Sequence, residues 1–152
     1  MGEIVKPKPY LTELKIIEQS QGHVMHGIKA SEGSYVGFGE AYFSTVNFGM
    51  FKGWKLHRKM TLNLIVPHGD IRFLVLDASE DGMGGEVLPL IDIALGDCNY
   101  SRLTVPPGFW VGFQGISNGS NILLNVADIE HEPSESSSKP LDFFRVSGLE
   151  NI

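Results

Sequence analysis

The sequence predicts an all-β sandwich or barrel. Three observations carry this expectation. The 18 glycines and 8 prolines are spread along the chain as punctuation and are not gathered in blocks. Between them, short apolar runs recur at intervals of roughly 8 to 12 residues, the rhythm of strands joined by turns. Before the last dozen residues, no stretch shows the apolar period of an amphipathic helix.

Taken in order, the expected strands span 10–17, 22–29, 38–46, 49–54, 60–66, 70–77, 87–94, 100–105, 109–115 and 121–129. Ile71-Arg72-Phe73-Leu74-Val75-Leu76-Asp77 is the strongest of them, rich in β-branched and aromatic residues and preceded by the turn signal His68-Gly69-Asp70. Asp81-Gly82-Met83-Gly84-Gly85 predicts a flexible hairpin loop, and Asn118-Gly119 a tight turn between two apolar runs. The polar run from Glu132 to Pro140 predicts an exposed loop. Leu141-Asp142-Phe143-Phe144 predicts one turn of helix. Residues 1–152 are expected to form a single domain, with residues 1–9 and 141–152 as its tails.

Composition narrows the function. A chain of 152 residues can bury about two-thirds of its unfolded surface. With 42% hydrophobic and 20% charged residues it has an ordinary soluble composition. A formal net charge of -6 opposes a nucleic-acid partner, which needs a basic footprint. A local basic cluster of Lys52, Lys55, His57, Arg58 and Lys59 is compatible with a small anionic ligand, or with a solvated turn. The lone Cys98 fits a reducing compartment. No apolar run reaches the length of a membrane span, and Met1-Gly2-Glu3-Ile4-Val5-Lys6 is too polar for a signal peptide, so no membrane partner and a cytoplasmic location are expected.

Two segments carry the chemistry. Gly53-Trp54-Lys55-Leu56-His57 is followed by a strand-like run and then Pro67-His68-Gly69. About 40 residues on comes Thr104-Val105-Pro106-Pro107-Gly108-Phe109-Trp110. This layout resembles the cupins, whose first segment carries His-x-His followed by a Glu, and whose second ends in a His. The resemblance implies a cupin double-stranded β-helix, a jelly-roll barrel. Here Lys55 holds the first His position, Leu62 the Glu position and Val111 the last His position, so only His57 is kept. A protonated amine cannot coordinate a metal, and His23, His26, His68 and His131 are scattered, so no metal and no cofactor are expected.

Strand alternation puts Lys55 and His57 on one face, and Leu62, Leu64 and Val66 on one face. The expected lumen is an apolar pocket with a cationic rim, the usual ligand site of a small barrel. His57 is the natural general base. Lys55 is a second candidate base, a Schiff-base amine, or a cation for an enolate or phosphate. It could equally snorkel from the barrel mouth and only keep the edge soluble. Asp128 and Glu130 share a strand face and could supply a carboxylate that orients Lys55 or His57. Trp54, Trp110, Tyr42, Phe43 and Phe109 are either aromatic surface near the mouth or core.

The run Tyr42-Phe43-Ser44-Thr45-Val46-Asn47-Phe48-Gly49-Met50-Phe51-Lys52-Gly53-Trp54-Lys55, with Pro106-Pro107-Gly108-Phe109-Trp110-Val111-Gly112-Phe113, resembles the dTDP-4-dehydrorhamnose 3,5-epimerases. That resemblance covers about residues 38 to 135. It implies a metal-free, homodimeric barrel that binds a nucleotide-linked 4-keto sugar. In the family a His base removes a proton next to the ketone and a Tyr reprotonates the opposite face. The family's His falls on Lys55, and its phosphate-binding Arg on Lys52. Its Ser is kept as Ser44, with Tyr42 in place of the Asn before it, and its second His becomes Val111. The Tyr acid aligns near Leu124, with only Asp128 of its run retained.

The expectation is therefore a nucleotide-sugar epimerase-like isomerase on a dTDP- or related NDP-4-keto-deoxysugar, serving surface polysaccharide biosynthesis. Lys55, His57 and Asp128 are the expected catalytic residues, and Tyr42, Ser44, Lys52, Trp110 and Asn125 the expected substrate contacts. The alternatives are a cupin 3,4-ketoisomerase, whose family carries His-x-His in this region, and a barrel that only binds a sugar nucleotide or glycan.

Overall fold

The computed structural model describes residues 6–78 and 85–149. In chain order its strands are β1 (Tyr10–Glu13), β2 (Ile16–Ile17), β3 (Val24–Met25), β4 (Glu40–Thr45), β5 (Phe51–His57), β6 (Leu62–His68), β7 (Asp70–Leu76), β8 (Ile91–Gly96), β9 (Ser101–Val105), β10 (Trp110–Gly115), β11 (Ile122–Ala127) and β12 (Ser136–Ser138). Short 3-10 turns cover Pro133–Glu135 and Leu141–Phe143. Two five-stranded sheets result, ordered β1-β9-β6-β11-β4 and β12-β5-β10-β7-β8, with β2 and β3 as a separate ribbon. Every pairing within them is antiparallel. This is the expected all-β jelly roll.

The run at Ile71–Leu76 is apolar on both faces because both faces are covered. Ile71, Phe73 and Val75 point between the two sheets into the main core, beside Leu64, Val66, Leu95 and Leu103. Leu74 and Leu76 point the other way, into a second core with Trp54, Leu56, Trp110, Phe144 and Val146. Each such side chain contributes about 1.5–3 kcal/mol by leaving water. The C-terminal segment is therefore not a loose tail over its described length. Its Phe144 packs on Trp54 and Trp110, with ring centroids 6.0 and 5.3 Å apart.

Gly69 makes the sharp β6–β7 turn. It has φ +80°, and a Cβ there would lie 2.3 Å from the Ser120 carbonyl oxygen. Gly53 has φ +138°, and its added Cβ would lie 2.7 Å from the Cα of Gly112, so the backbones of β5 and β10 touch directly. The register between these strands slips between Val111 and Phe113.

Several boundaries differ from expectation. The run 10–17 breaks into β1 and β2, and the run 22–29 keeps only Val24–Met25 as strand. Four residues of the predicted hairpin loop, 81–84, lie outside the described residues. The polar run after Glu132 is not simply an exposed loop. Glu135 is 2% exposed, and Ser136–Ser138 pair with Lys55–His57 as an edge strand. Polar composition suggested solvent, but here the polar groups satisfy backbone donors inside the fold.

Candidate functional site

A cavity of about 360 Å³ opens between the two sheets. Its two walls differ in chemistry. The β5 side presents Lys52, Lys55 and His57, with Val111 and Phe113 from β10 and Lys139 just past β12. The facing sheet presents Tyr42 and Ser44 from β4, Leu62 and Leu64 from β6, and Leu123 and Asn125 from β11. Titratable nitrogens line one wall; hydroxyls, an amide and leucines line the other.

Period-two alternation positions the basic wall. Trp54 and Leu56 turn outward to the second core, so Lys55 and His57 turn inward. Trp54 is locked there by its indole N–H, which donates to the Leu141 carbonyl at 3.1 Å.

The His57 side chain is 7% exposed, and its Nδ1 is hydrogen-bonded to Oε1 of Glu135. The other carboxylate oxygen accepts the backbone N–H groups of Arg58 and Lys59 at 3.0 Å each and of Met60 at 3.4 Å. Burial alone pushes the Glu135 carboxyl up, but His57 and the N–H groups of Lys59 and Met60 outweigh it and hold the group below the usual carboxylate range. Charge-assisted hydrogen bonds of about 1.5–3 kcal/mol each offset what would be a large cost of burying a carboxylate. An anionic acceptor beside Nδ1 favours, in the neutral ring, the tautomer with its hydrogen on Nδ1 and a lone pair on Nε2. That is the tautomer a general base requires.

On the opposite wall, Asn125 is 2% exposed. Its Oδ1 accepts the Asn63 backbone N–H at 3.1 Å, and its Nδ2 donates to the Tyr42 hydroxyl oxygen at 3.0 Å. Lys52 Nζ donates to the Thr45 carbonyl at 2.7 Å and is otherwise exposed at the rim. Lys139 Nζ sits 4.6 Å from the Phe143 ring centroid.

Tyr42, Ser44, Lys52, Lys55, His57 and Asn125 thus come together around one cavity. Two expected residues do not. Asp128 does not face His57; its carboxylate accepts the Thr61 backbone N–H at 2.7 Å, because the chain leaving β11 crosses the start of β6 there. Trp110 is wholly buried in the second core, one residue out of phase with the lumen-facing Val111. Leu124 likewise faces away; the lumen-facing residues of β11 are Leu123 and Asn125. The orienting carboxylate is Glu135, which the sequence reading missed together with Lys139. Nothing local marks Glu135 as buried, since its donors lie 75 to 78 residues earlier. Among the described residues, no three His, Cys, Asp or Glu side chains gather as a metal ion would need.

The fold and site together are those of a jelly-roll barrel whose lumen holds a carboxylate-paired histidine, lysines and a facing phenol. No family model matches the chain, and no curated protein matches it. Among solved structures it is similar to a dTDP sugar isomerase from Desulfovibrio desulfuricans G20, with 33% identity over 88% of this chain and 85% of that one, at a TM-score of 0.79. The chain belongs to this family of dTDP-sugar isomerases, the RmlC-like cupins. More distant likenesses bear on the fold alone. One is the 3,5-epimerase RmlC of Legionella pneumophila Philadelphia 1, solved with dTDP-4-keto-L-rhamnose (17% identity, 86% and 71% of the chains, TM-score 0.71). Another is the sugar 3,4-ketoisomerase QdtA of Thermoanaerobacterium thermosaccharolyticum, solved with TDP (21% identity, 90% of each chain, TM-score 0.67).

Proposed function

We propose that this protein is an isomerase of a dTDP- or related nucleoside-diphosphate 4-keto-deoxysugar, with His57 removing a proton from the carbon next to the ketone. The observation that carries this reading is the His57–Glu135 pair, which holds an imidazole beside a carboxylate in a cavity also lined by lysines. The ketone makes the neighbouring C–H acidic, and the enolate oxygen gains negative charge as the proton leaves. Lys55, on the same strand face as His57, supplies a cation for that oxygen. Lys52 and Lys139 serve the diphosphate, and the leucines pack against the deoxygenated part of the sugar. Asp128 and Trp110 act outside the cavity, as structural residues.

The reading takes residues 1–152 as one domain in a homodimer. Apolar side chains on and after β4 support a self-contact, with Phe43 69%, Phe48 59% and Met50 60% exposed. It also places the protein in the cytoplasm, making an activated sugar for a surface polysaccharide. The free, exposed thiol of Cys98 fits such a reducing compartment.

Incubation with dTDP-4-keto-6-deoxyglucose in heavy water tests the activity. Deuterium is expected at a carbon adjacent to the ketone, with an isomerised product. If neither deuterium nor isomer forms while the nucleotide sugar still binds, the protein is a binding module and the isomerase reading fails.

A further inference from the structure

Resting on that reading, we infer that the cation Lys55 brings to the ketone is a covalent one: its Nζ bonds to the carbonyl carbon as an imine before His57 removes the neighbouring proton. Lys55 and His57 are two residues apart on β5, and both turn into the cavity because Trp54 and Leu56 turn out to the second core. Two residues span about 7 Å of a strand. A lysine stem and a histidine ring both reach from there to adjacent atoms of one bound sugar, where a carbonyl carbon and its neighbour lie about 1.5 Å apart. An amine nucleophile and a base thus share one wall.

Three lysines line this cavity, and their surroundings single out Lys55. Lys52 donates to the Thr45 carbonyl at 2.7 Å and stands at the exposed rim. Lys139 Nζ lies 4.6 Å from the Phe143 ring centroid. Among the described residues, no hydrogen bond, ion pair or ring contact holds the Lys55 side chain. It is half-buried, and its cross-strand neighbours are Val111 on β10 and Ser138 on β12, neither of them charged. Leu62 and Leu64 line the same cavity, no carboxylate among the described residues does, and Lys52 and Lys139 add positive charge. An amine in apolar walls, beside other cations and without a counter-ion, is the setting in which lysine attacks carbonyl carbons.

The steps balance. Lys55 gives a proton to solvent, and its nitrogen lone pair bonds to the carbonyl carbon. The carbonyl oxygen takes two protons and leaves as water. An ammonium and a ketone thereby become an iminium and water. The iminium draws electrons from the neighbouring C–H bond more strongly than the ketone does. His57 takes that proton, the C–H pair forms the C=C bond of an enamine, and the C=N pair returns to nitrogen. A proton from solvent re-forms a C–H bond, and the imidazolium loses its own to solvent. Water then adds to the iminium carbon, which releases the isomerised ketone and restores the ammonium. Water is given up and taken back, and no oxidant or reductant is consumed.

The test traps the imine. The full chain is incubated with dTDP-4-keto-6-deoxyglucose and sodium cyanoborohydride, which reduces an iminium faster than a ketone. Intact mass should show one reduced sugar adduct per chain, peptide mapping should place it on Lys55, and competing dTDP should suppress it. Lys55→Arg keeps the positive charge but forms no imine. It should give no adduct and exchange solvent deuterium at least about 100-fold more slowly, the scale of losing one group that stabilises developing charge. Its affinity for the nucleotide sugar should stay near wild type. A wild type that exchanges deuterium and isomerises but is never trapped would overturn the proposal while leaving an isomerase. So would an adduct on Lys52 or Lys139, an adduct that dTDP does not suppress, or exchange by Lys55→Arg within about fivefold of wild type. A wild type with neither exchange nor isomer would remove the parent reading, and this inference with it.

Discussion

Replacing Glu135 by Gln isolates what the buried carboxylate does for His57, because the side chain keeps its size. The amide has one acceptor oxygen and one donor nitrogen, and the site has two unlike demands. Three backbone N–H groups, from Arg58, Lys59 and Met60, converge on one oxygen. Turning the NH₂ toward them would leave three buried donors unmet, at about 1–3 kcal/mol each. The oxygen therefore stays with the backbone, and the NH₂ faces His57 Nδ1. That nitrogen must now accept, which moves the ring hydrogen to Nε2 and turns the base into a donor. One charge-assisted hydrogen bond is lost, costing about 2 kcal/mol. For a chain of this length that lowers Tm by about 4–8 °C. Turnover should fall by about 10²–10⁴, the usual share of a general base. Lys52, Lys55 and Lys139 are untouched, so KM should move little. The assay is solvent-deuterium exchange at the carbon next to the ketone, with calorimetry and ring-nitrogen NMR on the same variant. A variant that melts lower but exchanges at the wild-type rate, with the His57 hydrogen still on Nδ1, would refute the argument.

Two further outcomes follow from the charges. Lys52→Met, at the exposed rim, should weaken nucleotide-sugar binding by about tenfold or more while leaving exchange at saturating substrate nearly unchanged. Titration calorimetry at two salt concentrations should also show a shallower salt dependence for the variant. Acid should unfold the protein through its depressed carboxylates. Glu135 is held low by His57 and backbone N–H groups despite its burial, Glu32 by its hydrogen bond to Arg102, and Asp92 by its hydrogen bond to Arg72. A depressed group stabilises the fold fully above its unfolded value, 4.5 for Glu and 3.8 for Asp, and less as pH falls through its folded value. Urea midpoints should therefore hold steady above about pH 5 and drop below pH 4.5. Midpoints that rise on acidification would refute the assignment.

Much of this architecture is legible in the sequence because its signals are local. Alternation placed Lys55 and His57 together, and the run at Ile71–Leu76 is a strand whichever sheet it joins. Asn118-Gly119 falls in the connection between β10 and β11, as a tight-turn dipeptide should. What failed was non-local. Phase along β10 and β11 depends on which face meets the lumen, and a slip of one residue moves Trp110 and Leu124 to the wrong side. Asp128 and Glu135 are both acidic residues following β11, and both cap backbone N–H groups. Only the folded path of the C-terminal segment decides which of them meets His57.

That path also gathers several supports of the cavity onto one segment. His57 precedes its carboxylate by 78 residues. Glu135, β12 and the aromatic cap of Phe143 and Phe144 arrive together as one continuous strap across the outer sheet. A cut anywhere between Glu132 and Phe144 would therefore cost the cavity its histidine partner, the β12 edge and the aromatic cap of the second core at once.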